Sequence, residues 1–120
     1  MNENEVILST LLGALQGPQS YSDRMIDRME ADWGFISTAH TSDAMIETAV
    51  CHNEYMDDDG SRSPCIVVEN YENVADALLG HAKWCKTMTD NPPDEIVDIG
   101  KSPIALLCQE KGLQLRARRL

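Results

Sequence analysis

Between Met45 and Met88 the hydrophobic pattern runs strand, turn, strand, helix, and few architectures accommodate that order. In "MIETAVCH", residues 45–52, Met45, Glu47, Ala49 and Cys51 fall on one face and Ile46, Thr48, Val50 and His52 on the other, the two-residue period of a half-buried strand. "CIVVENY", residues 65–71, is a second strand rich in β-branched residues. Between them "DDDGSRSP" is turn material, because Asp side chains bond their own backbone and Gly60 accepts positive φ. The two strands are therefore predicted to pair antiparallel across a loop at 53–63.

"NVADALLGHAKWCKTMT" then switches to a 3.6-residue period. Asn73 is a strong N-cap, with Asp76 three positions on in a capping-box arrangement. The core stripe is predicted as Val74, Ala77, Leu78, His81, Cys85 and Met88, with Trp84 beside it, and "DNPP" stops the helix. Gly80 costs helix stability, up to about 1 kcal/mol against Ala. Its expected return is close approach of a neighbouring strand, with His81 hydrogen-bonded inside and Trp84 filling the core.

On either side of this unit the pattern is looser. Residues 4–15 place Val6, Ile7, Leu11, Leu12 and Leu15 on a helical face, ended by Gly17 and Pro18. Ser20 opens a second predicted helix, with Tyr21, Met25, Met29 and Trp33 as its stripe. "FISTAHTSD" reads as a strand from Phe35, and "EIVDI" as another. The end is open between a helix from Ser102 and Pro103 through Gln109 and a hairpin. The expectation is one α+β domain over 1–120: a small antiparallel sheet of about four strands against one main helix. A helical N-terminal arm occupies 1–33, the core 34–100, and a C-terminal element with a basic tail 101–120.

Charge is distributed unevenly. Twenty acidic residues oppose ten Lys and Arg for a formal charge of -10, yet Lys111, Arg116, Arg118 and Arg119 are the only charges after Glu110. An anionic body repels nucleic-acid phosphates, so direct nucleic-acid binding is disfavoured and a basic protein partner fits the sign. No apolar run is long enough to span a membrane, and the acidic start lacks the basic leading segment of an export signal. These features predict a cytoplasmic protein with reduced thiols at Cys51, Cys65, Cys85 and Cys108.

Chemistry is sparse. Cys51 and His52 are neighbours on opposite faces of a strand and cannot easily grip one zinc ion with Cys65, His81 or Cys85. Asp57, Asp59 and Ser61 alternate like the start of a calcium loop, but its sixth and twelfth positions are Arg62 and Val68 rather than Gly and Glu. His81 and Cys85 adjoin at i and i+4 on an apolar stripe, a place for a core histidine more than for a catalytic pair. No catalytic residue, metal ligand or cofactor is assigned. The sharpest binding candidate is an aromatic contact at Tyr55 rimmed by Glu54, Asp57, Asp58 and Asp59.

"IETAV", the acidic turn and "VVENYENVADALLGHAKWCKTM" resemble a group of small bacteriophage- and prophage-encoded proteins without an assigned activity. The resemblance covers about residues 45–88 and rests on Glu47, Thr48, Asn73, Gly80, His81 and Trp84, the last three forming a G-H-x-x-W-like helix motif. It implies no set activity but points to a phage accessory protein in a host cytoplasm, including one that binds and modulates or inhibits a host protein, and the acidic charge adds mimicry of nucleic acid as the mode. A structural or assembly component of the particle, or a binder of a small anionic signalling molecule through Arg116–Arg119, are the alternatives. The apolar stripe of the N-terminal arm suggests a homodimer.

Overall fold

The structure is a computed structural model that describes residues 24–41, 45–101, 103–113 and 115–120. Strands β1 (Met25–Ala31), β2 (Gly34–His40), β3 (Ile46–His52), β4 (Tyr55–Asp57) and β5 (Cys65–Tyr71) precede helix α1 (Val74–Asp90). Strand β6 (Glu95–Val97), helix α2 (Pro103–Glu110) and strand β7 (Arg116–Arg119) complete the order. β1, β2, β3 and β5 form an antiparallel four-stranded sheet in that order, and β4, β7 and β6 form a second, three-stranded one. The chain is thus α+β, with α1 packed on the larger sheet.

β3 and β5 pair as the alternating pattern requires, from Ile46 opposite Tyr71 to Cys51 opposite Cys65. Ile46, Thr48, Val50 and His52, the face that alternation assigned together, are all buried, and of the other face in β3 only Cys51 is. In β5 a bulge places Thr48 opposite Glu69 but Ala49 opposite Val67, leaving Val68 as the extra residue. That one-residue step turns both Val68 and Glu69 toward α1. β1 has the same device: Met25 pairs with Ala39 and Asp27 with Thr38, leaving Ile26 extra.

The helix predicted at 21–33 is corrected over its described part. Residues 25–31 are a strand, paired with β2 through Ala31 opposite Gly34. Met, Arg and Glu suit a helix locally, but ladder pairing and burial of Met29 against the core outweigh propensity. The turn Asp32–Trp33 closes this hairpin, and Gly34 is required after it. Its φ is +142°, and a Cβ there would overlap the Cys51 carbonyl. The helix expected over 4–15 lies outside the described residues.

Of the two readings left open for the C-terminal segment, the helix is the one found: α2 spans Pro103–Glu110, and strand β7 follows it. β7 is the centre of the second sheet, with Tyr55 opposite Arg119 and Ile96 opposite Ala117. Tyr55, Ile96 and Ala117 join Ile36, Val50, Ile66 and Met88 in one buried cluster, so both sheets share a core. On α1, Ala77, Gly80, His81 and Met88 are buried, whereas Val74 and Leu78, assigned to the core by the stripe, are 44% and 46% exposed. Finally, Cys51 and Cys65 form a disulfide rather than remaining reduced, because the register sets them opposite each other with Cα atoms 4.2 Å apart.

α1 begins where its cap predicts: the Asn73 side chain accepts from the Asp76 amide at 2.8 Å. It ends at Asn91, before Pro92 and Pro93. The outer edge of β5 is covered by residues 98–100. The Ile99 amide bonds the Val67 carbonyl at 2.8 Å, and the Val67 amide bonds the Asp98 carboxylate at 3.1 Å.

Candidate functional site

Four polar side chains stand in one row across the larger sheet. Asp27, Thr38, Thr48 and Glu69 are successive register partners on β1, β2, β3 and β5, all beneath α1. The adjoining row is apolar: Met29, Ile36, Val50 and Ile66. The β5 bulge brings Glu69 into this row, whereas Asp27 shares the face of Met29, Thr38 that of Ile36 and Thr48 that of Val50 by regular alternation.

A continuous chain of contacts links the row to the helix. The Thr38 and Thr48 hydroxyls meet at 2.5 Å, and Thr38 Oγ1 lies 2.7 Å from His81 Nδ1. Thr48 Oγ1 lies 2.9 Å from the Tyr71 hydroxyl, which donates to Glu69 Oε1 at 3.3 Å. Glu69 Oε1 also accepts from Trp84 Nε1 at 2.8 Å and Lys83 Nζ at 2.6 Å. At the other end His81 Nε2 faces Asp27 Oδ2 at 3.8 Å. Thr38, Thr48 and His81 are buried, and the chain emerges at half-exposed Asp27 and one-third-exposed Glu69. Buried hydroxyls and imidazole are thereby satisfied, as the cost of orphaned polar groups demands.

The electrostatics fit a scaffold. Burial lowers the His81 pKa, against a smaller opposing pull from Asp27, so the ring is neutral near pH 7. Burial pushes the Tyr71 phenol up to about 12. For Glu69, burial acts upward, but the hydrogen bonds from Lys83 and Trp84 outweigh it and hold the carboxyl below its usual value. The Cys85 thiol is raised, by burial first and by Asp27 second. A protonated thiol beside a histidine already engaged by Thr38 and facing Asp27 is the reverse of an activated nucleophile.

Gly80 serves the close approach expected of it: a Cβ at this position would overlap the Tyr71 ring at its hydroxyl end. Trp84 packs against the core cluster. The resemblance motif therefore converges on one interior network, with Thr48, His81 and Trp84 in it and Gly80 clearing its path. Tyr71, Thr38, Asp27 and Glu69 were missed. Alternation from Ile36 could have placed Thr38, whereas Glu69 depends on a bulge that a one-dimensional pattern does not display.

The predicted binding residues sit at the other end of the molecule, and one is corrected. Tyr55 is fully buried, donates its hydroxyl to the Pro93 carbonyl, and meets His52 edge-on at 4.9 Å, so it offers no surface contact. His52 stacks on Trp33 at 4.3 Å and accepts from the Glu54 amide through Nδ1. Glu54, Asp58 and Asp59 are exposed and Asp57 is half-buried. The turn is held by its own carboxylates. Asp57 Oδ1 accepts from the Asp59 and Ser61 amides, and Asp59 Oδ1 accepts from the Ser61 amide and hydroxyl. The Ser61 hydroxyl is the main reason that the Asp59 carboxyl lies below its ordinary pKa.

The basic tail is drawn into this end of the fold. Arg118 pairs with Asp58 at 2.8 Å and with Glu95 at 3.4 Å, and Arg116 with Glu95 at 3.6 Å. Arg119 donates to the Pro92 carbonyl. These surface pairings engage arginines that the small-anion alternative would use. Asp57–Asp59 line an open groove of about 670 Å³ together with Leu113, Leu115 and the two paired arginines. Among the described residues no group of three or more His, Cys, Asp or Glu is arranged to hold a metal ion, and Cys51 and Cys65 are consumed by their disulfide. No described helix is long and apolar enough to cross a membrane. No protein-family model, curated protein or solved structure matches this chain.

Proposed function

We propose that this chain is a small non-catalytic binding protein of the phage accessory type, which engages a host protein through its acidic end. The observation that carries the reading is the turn at Asp57–Asp59. Its backbone is locked by its own side chains, and the exposed Asp58 and Asp59 stand on the rim of a groove that also presents Leu113 and Leu115. A fixed array of carboxylates loses little entropy on binding and steers a basic partner. The same array resembles a line of phosphates to a protein built to bind nucleic acid, which is how mimicry would act. Apolar contacts beside it favour a segment that carries both basic and apolar side chains.

The motif residues support this division of labour from the other side, because Thr48, His81 and Trp84 are engaged in the interior. Quantitative affinity capture from bacterial extract tests the reading. Wild-type protein should retain a host protein that salt releases and that an E54Q/D58N/D59N variant fails to retain. Equal capture by both proteins, or no specific capture by either, would remove the proposal.

A further inference from the structure

The two ends of the Cys51–Cys65 disulfide stand in unlike places. They are direct register partners on β3 and β5. β3 is an inner strand of the larger sheet, between β2 and β5, whereas β5 is the last strand in its order. Cys51 is therefore flanked on both sides, by Phe35 of β2 and by Cys65, and is 6% exposed. Cys65 opens β5 and is exposed. The bonds that residues 98 and 99 make along this edge fall farther on, at Val67 and Asn70.

We infer that Cys65 is a reversible thiolation site: low-molecular-weight thiols open the disulfide of the folded protein by attacking Cys65 and not Cys51. Thiol–disulfide exchange proceeds through a mixed disulfide, and access selects which sulfur is attacked. A thiolate arriving from beyond the sheet edge meets Cys65. One aimed at Cys51 has to come across Phe35, whose ring is itself covered by the Arg28 guanidinium at 4.0 Å. The entering sulfur bonds to Cys65 Sγ as the Cys51–Cys65 bond breaks. The electron pair leaves on Cys51 Sγ, which takes a proton from water. The entering thiolate is oxidised to the disulfide level and Cys51 is reduced, so the thiol is the only co-reactant.

The adduct is removable. Ladder pairing from Ile46 and Tyr71 to Val50 and Ile66 keeps the Cys51 thiol beside Cys65, where it expels the added group and restores the bond. The site does not depend on what the acidic turn binds.

Native protein exposed to reduced glutathione, quenched with excess N-ethylmaleimide and mapped by mass spectrometry tests the inference. Glutathione is expected on Cys65 and maleimide on Cys51. The single variants give a second measurement, with 5,5′-dithiobis(2-nitrobenzoate) as the probe and the rates of Cys85 and Cys108 taken from C51S/C65S. Folded C51S should react at Cys65 about tenfold or more faster than folded C65S reacts at Cys51, and urea should abolish the difference. Glutathione on Cys51, or an even split, overturns the inference. So do equal rates in the folded variants, or an adduct that forms only after unfolding.

Discussion

The hydroxyl end of Tyr71 packs against Gly80 and reaches Thr48 at 2.9 Å through the space that a side chain at position 80 would occupy. This contact joins the helix motif to the polar row. Gly→Ala in a helix ordinarily gains up to about 1 kcal/mol. Here overpacking, about 1–3 kcal/mol, opposes that gain, and displacement of the phenol breaks a buried hydrogen bond as well. G80A should therefore lower the urea midpoint. The exposed control A82G should lose only about 1 kcal/mol. A stabilised G80A would mean that Tyr71 moves aside freely.

The two buried threonines act as a unit. T48V should cost about 2 kcal/mol, because it removes two hydrogen bonds at once and leaves Thr38 with only His81 and Tyr71 with only Glu69. T38V adds the loss of the His81 contact. The double variant should cost less than the sum of the singles, since removing both partners leaves fewer orphaned groups. Chemical denaturation of the four proteins of this cycle measures the difference.

Acid should weaken the fold through its histidines. Burial lowers both His52 and His81 below the usual imidazole value. The unfolded chain therefore binds more protons than the folded one just below about pH 6.5. Their contribution is complete above that pH and diminishes as pH falls toward the depressed folded values. Asp27 partly offsets the burial of His81, so D27N should increase acid sensitivity between about pH 7 and about pH 5. Unfolding midpoints across that range provide the check, and a flat profile would contradict neutral buried rings.

The Cys51–Cys65 disulfide closes a segment with a sequence separation of 14 residues. In the chain-entropy treatment a loop of that size is worth about 3 kcal/mol. Reduction, or C51S/C65S, should lower stability by about that amount. The hairpin should persist, because β3–β5 pairing and the β4–β7 ladder hold it independently. Circular dichroism and denaturation with and without a dithiol distinguish loss of stability from loss of fold.

What the sequence revealed follows the range of the forces involved. The β3–turn–β5–α1 unit was legible because alternation, turn chemistry and the Asn73 cap all act locally. Met25–Ala31 was misread because its residues suit a helix, and pairing with β2 decides otherwise. Tyr55 was misplaced because its strand partner, Arg119, lies at the far end of the chain. Val74 and Leu78 were assigned inward because a helix with two apolar faces does not show which one meets the sheet. For the site, the acidic turn was visible, but its link to Arg118 was not, and Glu69 joins the polar row only through a bulge that no periodicity reveals.

The central claim is that the motif residues build the scaffold while the acidic turn binds. Its most direct test is side-by-side host-protein capture by T48V and D58N/D59N, below the melting temperature of both. T48V is expected to retain the partner at wild-type level despite reduced stability, and D58N/D59N to lose it while still folded. Loss of capture by folded T48V with full retention by D58N/D59N would place the binding function on the polar row and contradict the account.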